Sequence, residues 1–453
     1  MISTLTWGRF PKAILVAGLG LLIVPDSFAQ SDLLVSGKQL VATDPHLASS
    51  FLRELTLPQS IQLALQNNHD LQLSRLAAKA ADASVTIASA APNPTLTIQT
   101  ASINPKQGIG AGQLRDKAVD STFRIDQLIE RGGKRELRIS NASHLEQASR
   151  YDVLDTQRQL QIAVSAAYVD LLAAQHKLRI SQENKELFRL TLTAADKRKK
   201  AGDIAGADVA RVRIDALRAE NDAKQAAVDF LRAQTALSYL IGIPVAPDAI
   251  RAADAWTDTD IQQMDIAIED IIQRRSDVQA AKARVKAAIS AKQLALAART
   301  RDVSVGVQYE HYPVSQSNQL GSGNSYGVAI QIPLFTRYEF QGEIRVAEVA
   351  LNAAEENVNK VIDSARAEFQ VALATAKSSQ EQVNRFRQEL IPAARTSAEA
   401  AEFAFKNGAI AVMDVLDARR IYKATELDAI NAQADFAKSL ISLRLSIEES
   451  NTK

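Results

Sequence analysis

The chain has 453 residues, 46% of them hydrophobic but only 5% aromatic, a balance that suits long alanine-rich helices better than a β-sandwich. Lys and Arg number 53 against 52 Asp and Glu, a formal net charge of +1, so no global basic field points to nucleic acid. Cysteine is absent, which excludes disulfides, thiolate metal sites, cysteine nucleophiles and a lipid-modified N-terminal cysteine.

Residues 1–29 read as a signal peptide. Arg9 and Lys12 precede the apolar run Ala13–Val24, and Ser27-Phe28-Ala29 puts small residues where a signal peptidase reads. The run is short for a membrane-spanning helix; an uncleaved anchor is the alternative. No other stretch is apolar enough for a transmembrane helix. An exported chain of this kind is expected in the periplasm, in the medium, or in the outer membrane as a β-barrel.

Residues 30–54 form an irregular N-terminal extension. A helix is predicted from about Leu57 to Ala90, with Pro58 in its first turn and Pro92 and Pro94 stopping it. Then the period changes to two. Leu96, Ile98 and Thr100 alternate with polar neighbours, as do Phe123, Ile125 and Ile129, around a loop holding Gly108, Gly110 and Gly112. Strands at about 95–103 and 119–129 thus make a hairpin with a long polar tip.

A helix of some 65 residues is predicted over Arg135–Lys200, on the order of 95 Å long. Leu160, Val164, Ala167, Leu171, Ala174 and Leu178 step by four and three, a coiled-coil seam. Gly202 marks a sharp turn, and a shorter helix returns over about 207–241. Residues 245–264 are a linker.

The plan then repeats. Asp70-Leu71-Gln72 is echoed by Asp277-Val278-Gln279, and Lys79-Ala80-Ala81 by Lys286-Ala287-Ala288, an offset of 207 positions. Gly202, Ile204, Ala205, Asp208 and Val209 match Gly408, Ile410, Ala411, Asp414 and Val415 at an offset of 206. Two copies in such register share one plan, repeat one over 55–244 and repeat two over 265–449. The second copy has strands at about 302–312 and 325–334, a long helix over Phe340–Lys406 that Pro392 can kink, and a helix over about 412–448.

The fold class is therefore mainly α with a membrane β-barrel portion, a duplicated helix–β-hairpin–long helix–helix unit. Four strands cannot close a barrel, and an open edge in lipid leaves backbone groups unpaired, so the strands must close with other copies of the chain. Two chains would give eight strands and three would give twelve.

The second turn, from Gly408 through Met413-Asp414-Val415-Leu416-Asp417-Ala418, resembles the periplasmic-tip segment of the TolC-type outer-membrane factor family. Ile129-Glu130-Arg131-Gly132-Gly133-Lys134-Arg135 resembles the CzcC-like heavy-metal efflux branch of that family. The likeness covers about residues 55–449. It implies a homotrimer, with a twelve-stranded barrel in the outer membrane and a periplasmic α-helical barrel forming a tunnel. It also implies work with a periplasmic adaptor (membrane fusion protein) and an inner-membrane transporter of the resistance–nodulation–division (RND) class. No cofactor, nucleic acid or enzymatic activity is expected. The expected cargo is divalent heavy-metal cations. Organic compounds or antibiotics, and type I protein secretion, are the alternatives within the class. A periplasmic coiled-coil scaffold is the alternative outside it.

The resemblance puts Asp414 and Asp417 at the constricted periplasmic end. Three apart on a helix, they share a face, and in a trimer they would make an acidic ring suited to a cation gate. Helix capping is the competing role, stronger for Asp414, which matches Asp208, than for Asp417, which matches Arg211. Phe405 stands where the family has a tyrosine latch and Ile410 where it has an arginine, so those latch bonds cannot form. Gly202, Asp203, Ile204 and Ala205, with Gly408, Ala409, Ile410 and Ala411, are expected to dock the adaptor; ordinary helix C-caps are the plainer reading. Gly132-Gly133-Lys134-Arg135 lacks P-loop spacing and is expected to be a strand-to-helix turn. His46, His69, His144, His176 and His311 lack metal-ligand spacing.

Overall fold

The computed structural model describes residues 54–101, 103, 119–243, 250–256, 268–312, 323–407 and 409–448. The signal peptide, nearly all of the N-terminal extension, the hairpin tips, much of the linker, His46 and Gly408 lie outside the described residues.

In chain order the elements are β1 (Glu54–Leu55), α1 (Leu57–Asn67), α2 (His69–Ser89), β2 (Thr95–Ala101), β3 (Asp120–Ile129), α3 (Lys134–Lys200) and α4 (Gly206–Ile241). They continue with β4 (Arg251–Ala252), α5 (Ile268–Arg274), α6 (Ser276–Ala297), β5 (Val303–Tyr312), β6 (Gly323–Gln331), α7 (Gln341–Arg385), α8 (Ile391–Lys406) and α9 (Val412–Glu448).

The first predicted helix is two helices. Thr56 starts α1 with a capping box, its hydroxyl accepting from Gln59 N–H while the Gln59 side chain accepts from Thr56 N–H. Asn68 then leaves helical geometry at ψ 130°. Its Oδ1 accepts from Leu71 N–H (3.1 Å) to cap α2, and its Nδ2 donates to Leu240 O (3.0 Å). The second copy breaks at the matching place. Arg275, at ψ 141°, separates α5 from α6 and lies buried against Asp277 (2.7 Å) and Glu368 (3.0 Å). A buried guanidinium is stable only when so paired.

The first long helix forms as predicted: α3 runs 67 residues, about 100 Å, with no break. The second does not run through. Phe386–Leu390 is a π-turn between α7 and α8, in which Ile391 N–H donates to Phe386 O. Pro392 has no N–H to continue the α-ladder, and the wider turn absorbs the mismatch. The strand over 325–334 is also shorter than predicted at its far end: the chain leaves the ladder after Gln331, and Pro333 has no N–H to offer.

Along α3 the coiled-coil seam is buried at Leu160, Val164 and Leu171 and half-buried at Ala167, Ala174 and Leu178. Leu160, Val164 and Leu171 join Leu71, Leu237, Ile241 and Ile250 in the main core. Tyr168 is its polar hub. Its hydroxyl donates toward Leu55 O (2.9 Å) and Asp254 Oδ2 (2.8 Å), and Leu57 N–H donates to the same carboxylate oxygen (2.7 Å). Burial pushes the Tyr168 phenol well above its ordinary value, so it stays a neutral donor. This hub fixes a short parallel pair, β1 with β4. Gly242, at φ 68°, ends α4 where an added Cβ would sit 2.5 Å from Asn67 O.

The other four strands make one antiparallel sheet in the order β2-β3-β5-β6. Each predicted hairpin forms, and β3 joins β5 across the repeat boundary. The outer sides of β2 and β6 carry no strand partner among the described residues.

Candidate functional site

The sheet has two unlike faces. On one, Leu96, Ile125, Val307 and Val328 lie opposite one another across all four strands. The next row is Ile98, Phe123, Tyr309 and Tyr326, with Tyr309 and Tyr326 ring centroids 5.4 Å apart. Val328 and Tyr326 are 76% and 81% exposed, far from the burial such side chains normally seek. A row of apolar residues below an aromatic row is the pattern of a lipid-facing wall.

The opposite face is polar and charged. Arg124 pairs with Asp126 (2.8 Å), and Gln308 Nε2 donates to Glu310 (3.0 Å). Two glycines make room for these long side chains. A Cβ at Gly306 would lie 2.2 Å from Asp126 Oδ1, and one at Gly327 would lie 2.9 Å from Gln308 Cγ.

At the sheet's base, Lys134 Nζ donates to both Asp302 oxygens (2.8 and 2.9 Å) and to Thr300 O (2.8 Å), and Arg131 N–H donates to Asp302 Oδ1 (2.9 Å). Burial opposes ionisation of Asp302, but the Lys134 ammonium and the Arg131 N–H outweigh it and hold the carboxyl below its ordinary range. Arg138 grips Glu130 and lowers that carboxyl too. Gly132, at φ 76°, crosses Thr300 so closely that a Cβ would lie 2.8 Å from Thr300 Cβ. The Gly132-Gly133-Lys134-Arg135 segment is thus a strand-to-helix turn whose lysine holds a carboxylate of the other repeat.

The far ends of the helices form the two tips. Gly202, at φ 84°, turns the chain after α3, with Gly202 N–H donating to Lys199 O (3.0 Å) and Asp203 N–H to Arg198 O (3.0 Å). Ala205 precedes the first turn of α4, and Asp203 is exposed. At the second tip Ala409 N–H donates to Ala404 O (2.9 Å), and Ile410 is half-buried. The tips share one small core, in which Ile204, Val209 and Val212 meet Val412, Met413 and Leu416.

The two acidic candidates have different surroundings. Asp414 Oδ2 accepts from Ala411 N–H (3.2 Å), a capping contact at the start of α9. Asp417 is 58% exposed at its side chain and accepts from Arg420 Nη1 (2.7 Å). The second guanidinium nitrogen reaches Asp215 on α4 (3.0 Å), whose side chain is 9% exposed. Phe405 is half-buried, with the Arg198 guanidinium 5.7 Å over its ring.

Sequence reasoning missed Arg420, Asp215 and Arg198. The spacing of Asp417 and Arg420, three apart on a helix, was a readable signal; Asp215, 205 positions away, gave none. Among the described residues no group of three or more His, Cys, Asp or Glu is placed to hold a metal ion. His176 lies against Trp256, centroids 5.7 Å apart.

Comparison with known proteins agrees with this architecture. CzcC, the cobalt-zinc-cadmium resistance protein of Cupriavidus metallidurans, is 24% identical over 90% of this chain and 93% of its own. OpmQ, the pyoverdine export outer membrane protein of Pseudomonas putida, is 25% identical over 82% of each chain. A crystal structure of CusC superposes with a TM-score of 0.73 at 19% identity, covering 88% of this chain and 93% of that one. The family model described as outer membrane efflux protein matches residues 60–243 and 267–447, and the chain belongs to that family.

Proposed function

We propose that three copies of this chain close into a twelve-stranded barrel and a continuous helical tunnel, the exit duct of a tripartite pump that exports divalent heavy-metal cations. The carrying observation is the sheet, whose two outer edges have no strand partner among the described residues and which has an apolar face and a charged face. Copies joined edge to edge pair every strand and put the charged face around a water-filled lumen.

In this reading the tips around Gly202–Ala205 and Ala409–Ala411, with Gly408 between Asn407 and Ala409, receive the periplasmic adaptor. An RND-class inner-membrane transporter supplies the energy. Asp414 and Asp417 contribute to an acidic ring at the periplasmic end, and Phe405 packs beside it. Arg420 neutralises part of that ring, because its single charge serves both Asp417 and Asp215. The remaining carboxylates leave the ring acidic, which favours cations.

The likeness to CzcC supports metal cargo; the likeness to OpmQ, at a similar level, supports export of organic compounds as the second reading. A strain lacking this chain distinguishes them. Selective sensitivity to zinc, cobalt, cadmium or nickel, with metal retained in the cell, supports metal export. Sensitivity only to organic compounds supports the second reading and rejects the first.

A further inference from the structure

The apolar face of the sheet ends at the pair Ile129 and Val303. Two residues past the helix-side end of each strand stand Arg131 and Arg301, both exposed. Arg131 N–H donates to Asp302 (2.9 Å) and Gly132 crosses Thr300, so the two arginines leave adjacent stretches of backbone just beyond the lipid-facing rows. On the neighbouring β6 side the same alternation runs from Tyr326, Val328 and Ile330 to Leu334, which is 72% exposed. Beyond it, Phe335 packs edge-on against Phe340 (5.0 Å), and the Arg301 guanidinium stands 5.7 Å over the Phe335 ring.

Over residues 130–138, 299–302 and 337–343, with Glu136 and Glu339 included, this border carries seven cations against five carboxylates. Lys134 has Asp302, and Arg138 has Glu130. Glu343 accepts from the Tyr338 hydroxyl (2.6 Å). Arg131, Arg301 and the exposed Arg337 have no carboxylate at ion-pair distance among the described residues. Like charges held close together are unfavourable unless an anion sits between them. At the border of an apolar wall, the anion in reach is the phosphodiester of a phospholipid, with its acyl chains against Leu334 and the apolar rows. Guanidinium forks match phosphate oxygens, and aromatic rings belong at the same headgroup level.

We propose that Arg131 and Arg301, flanked by Arg337 and Phe335, form a binding site for anionic phospholipid headgroups in the periplasmic leaflet of the outer membrane. The inference rests on the sheet spanning that membrane. The site anchors the barrel's depth at the end where the helices leave it, and it is separate from the tunnel and its tips.

The test uses the full protein, extracted in detergent and titrated with phosphatidylglycerol, with bound lipid counted by native mass spectrometry. Wild type is expected to bind about tenfold more tightly than Arg131→Gln/Arg301→Gln, the effect of losing charge-assisted hydrogen bonds. Arg213→Gln, on the periplasmic helix α4, is expected to bind as wild type does. Equal binding by wild type and the double variant overturns the proposal. Displacement of the lipid by inorganic phosphate at constant ionic strength also overturns it, since the site would then take free phosphate. If the glutamine variant does not accumulate, Arg131→Lys/Arg301→Lys keeps the charge without the planar fork. It is expected to bind about threefold more weakly, and unchanged binding contradicts the assignment. Flotation with vesicles is measured in parallel, and failure of wild type to float would reject the membrane placement itself.

Discussion

Arg420 on α9 and Asp215 on α4 are joined at 3.0 Å, which ties the helix pair of the second repeat to that of the first near the tips. Asp215 is nearly buried, and Arg420 is half-exposed and shared with Asp417. Removing Arg420 strands a carboxylate with little access to water. Arg420→Ala is expected to cost about 1–2 kcal/mol, moderated by solvent screening at the exposed guanidinium. Thermal unfolding of Arg420→Ala, Asp215→Asn and the double variant checks this. The double variant should lose less than the sum of the singles.

Gly306 and Gly327 leave the space that Asp126 and Gln308 fill. Valine at either position has the right strand propensity but no room on the polar face. Gly306→Val is expected to reduce the amount of assembled protein in the outer-membrane fraction several-fold, whereas Val328→Leu, on the apolar face, leaves it unchanged. Immunoblots of unheated membrane samples report both.

Lys134 and Asp302 connect α3 of one repeat to the start of β5 in the other. Asp302 and Glu130 both have carboxyls held below their ordinary values in the folded protein. A depressed carboxyl stabilises the fold above its unfolded value, about 4, and that contribution disappears as pH falls through the lower folded value. Asp302→Asn removes one of the two groups. It is expected to lower stability at neutral pH and to flatten the decline below about pH 4, as read from unfolding midpoints across pH.

Tyr168 bonds to the Leu55 carbonyl and to Asp254 from the centre of the main core. Tyr168→Phe keeps the packing and removes the hydroxyl, leaving Leu55 O without that donor. A loss of about 1–2 kcal/mol is expected. Amide exchange should quicken at Ala253, whose N–H donates to Leu55 O (3.0 Å), before it changes in α3.

Much of the fold was legible because it is periodic. The alternation at Leu96–Ile98 and Tyr326–Ile330, the seam from Leu160 to Leu171 and the glycine at 202 each specify local geometry from neighbours in sequence. The duplication made the second copy readable from the first. What was not legible depends on partners far along the chain. The breaks at Asn68 and Arg275 rest on Leu240 and Glu368, and the parallel pair of β1 with β4 rests on Tyr168. At the tip, Asp414 and Asp417 were found from the family likeness and their spacing. Capping by Asp414 was readable from its match to Asp208, whereas the sharing of Arg420 between Asp417 and Asp215 depends on a partner 205 positions away.

A four-stranded sheet that forms one third of a closed wall needs three copies of the chain. The most direct test is the mass of the protein extracted in mild detergent from outer membranes, measured by native mass spectrometry. Three copies per particle are expected. A monomer, or a dimer carrying eight strands, would contradict this.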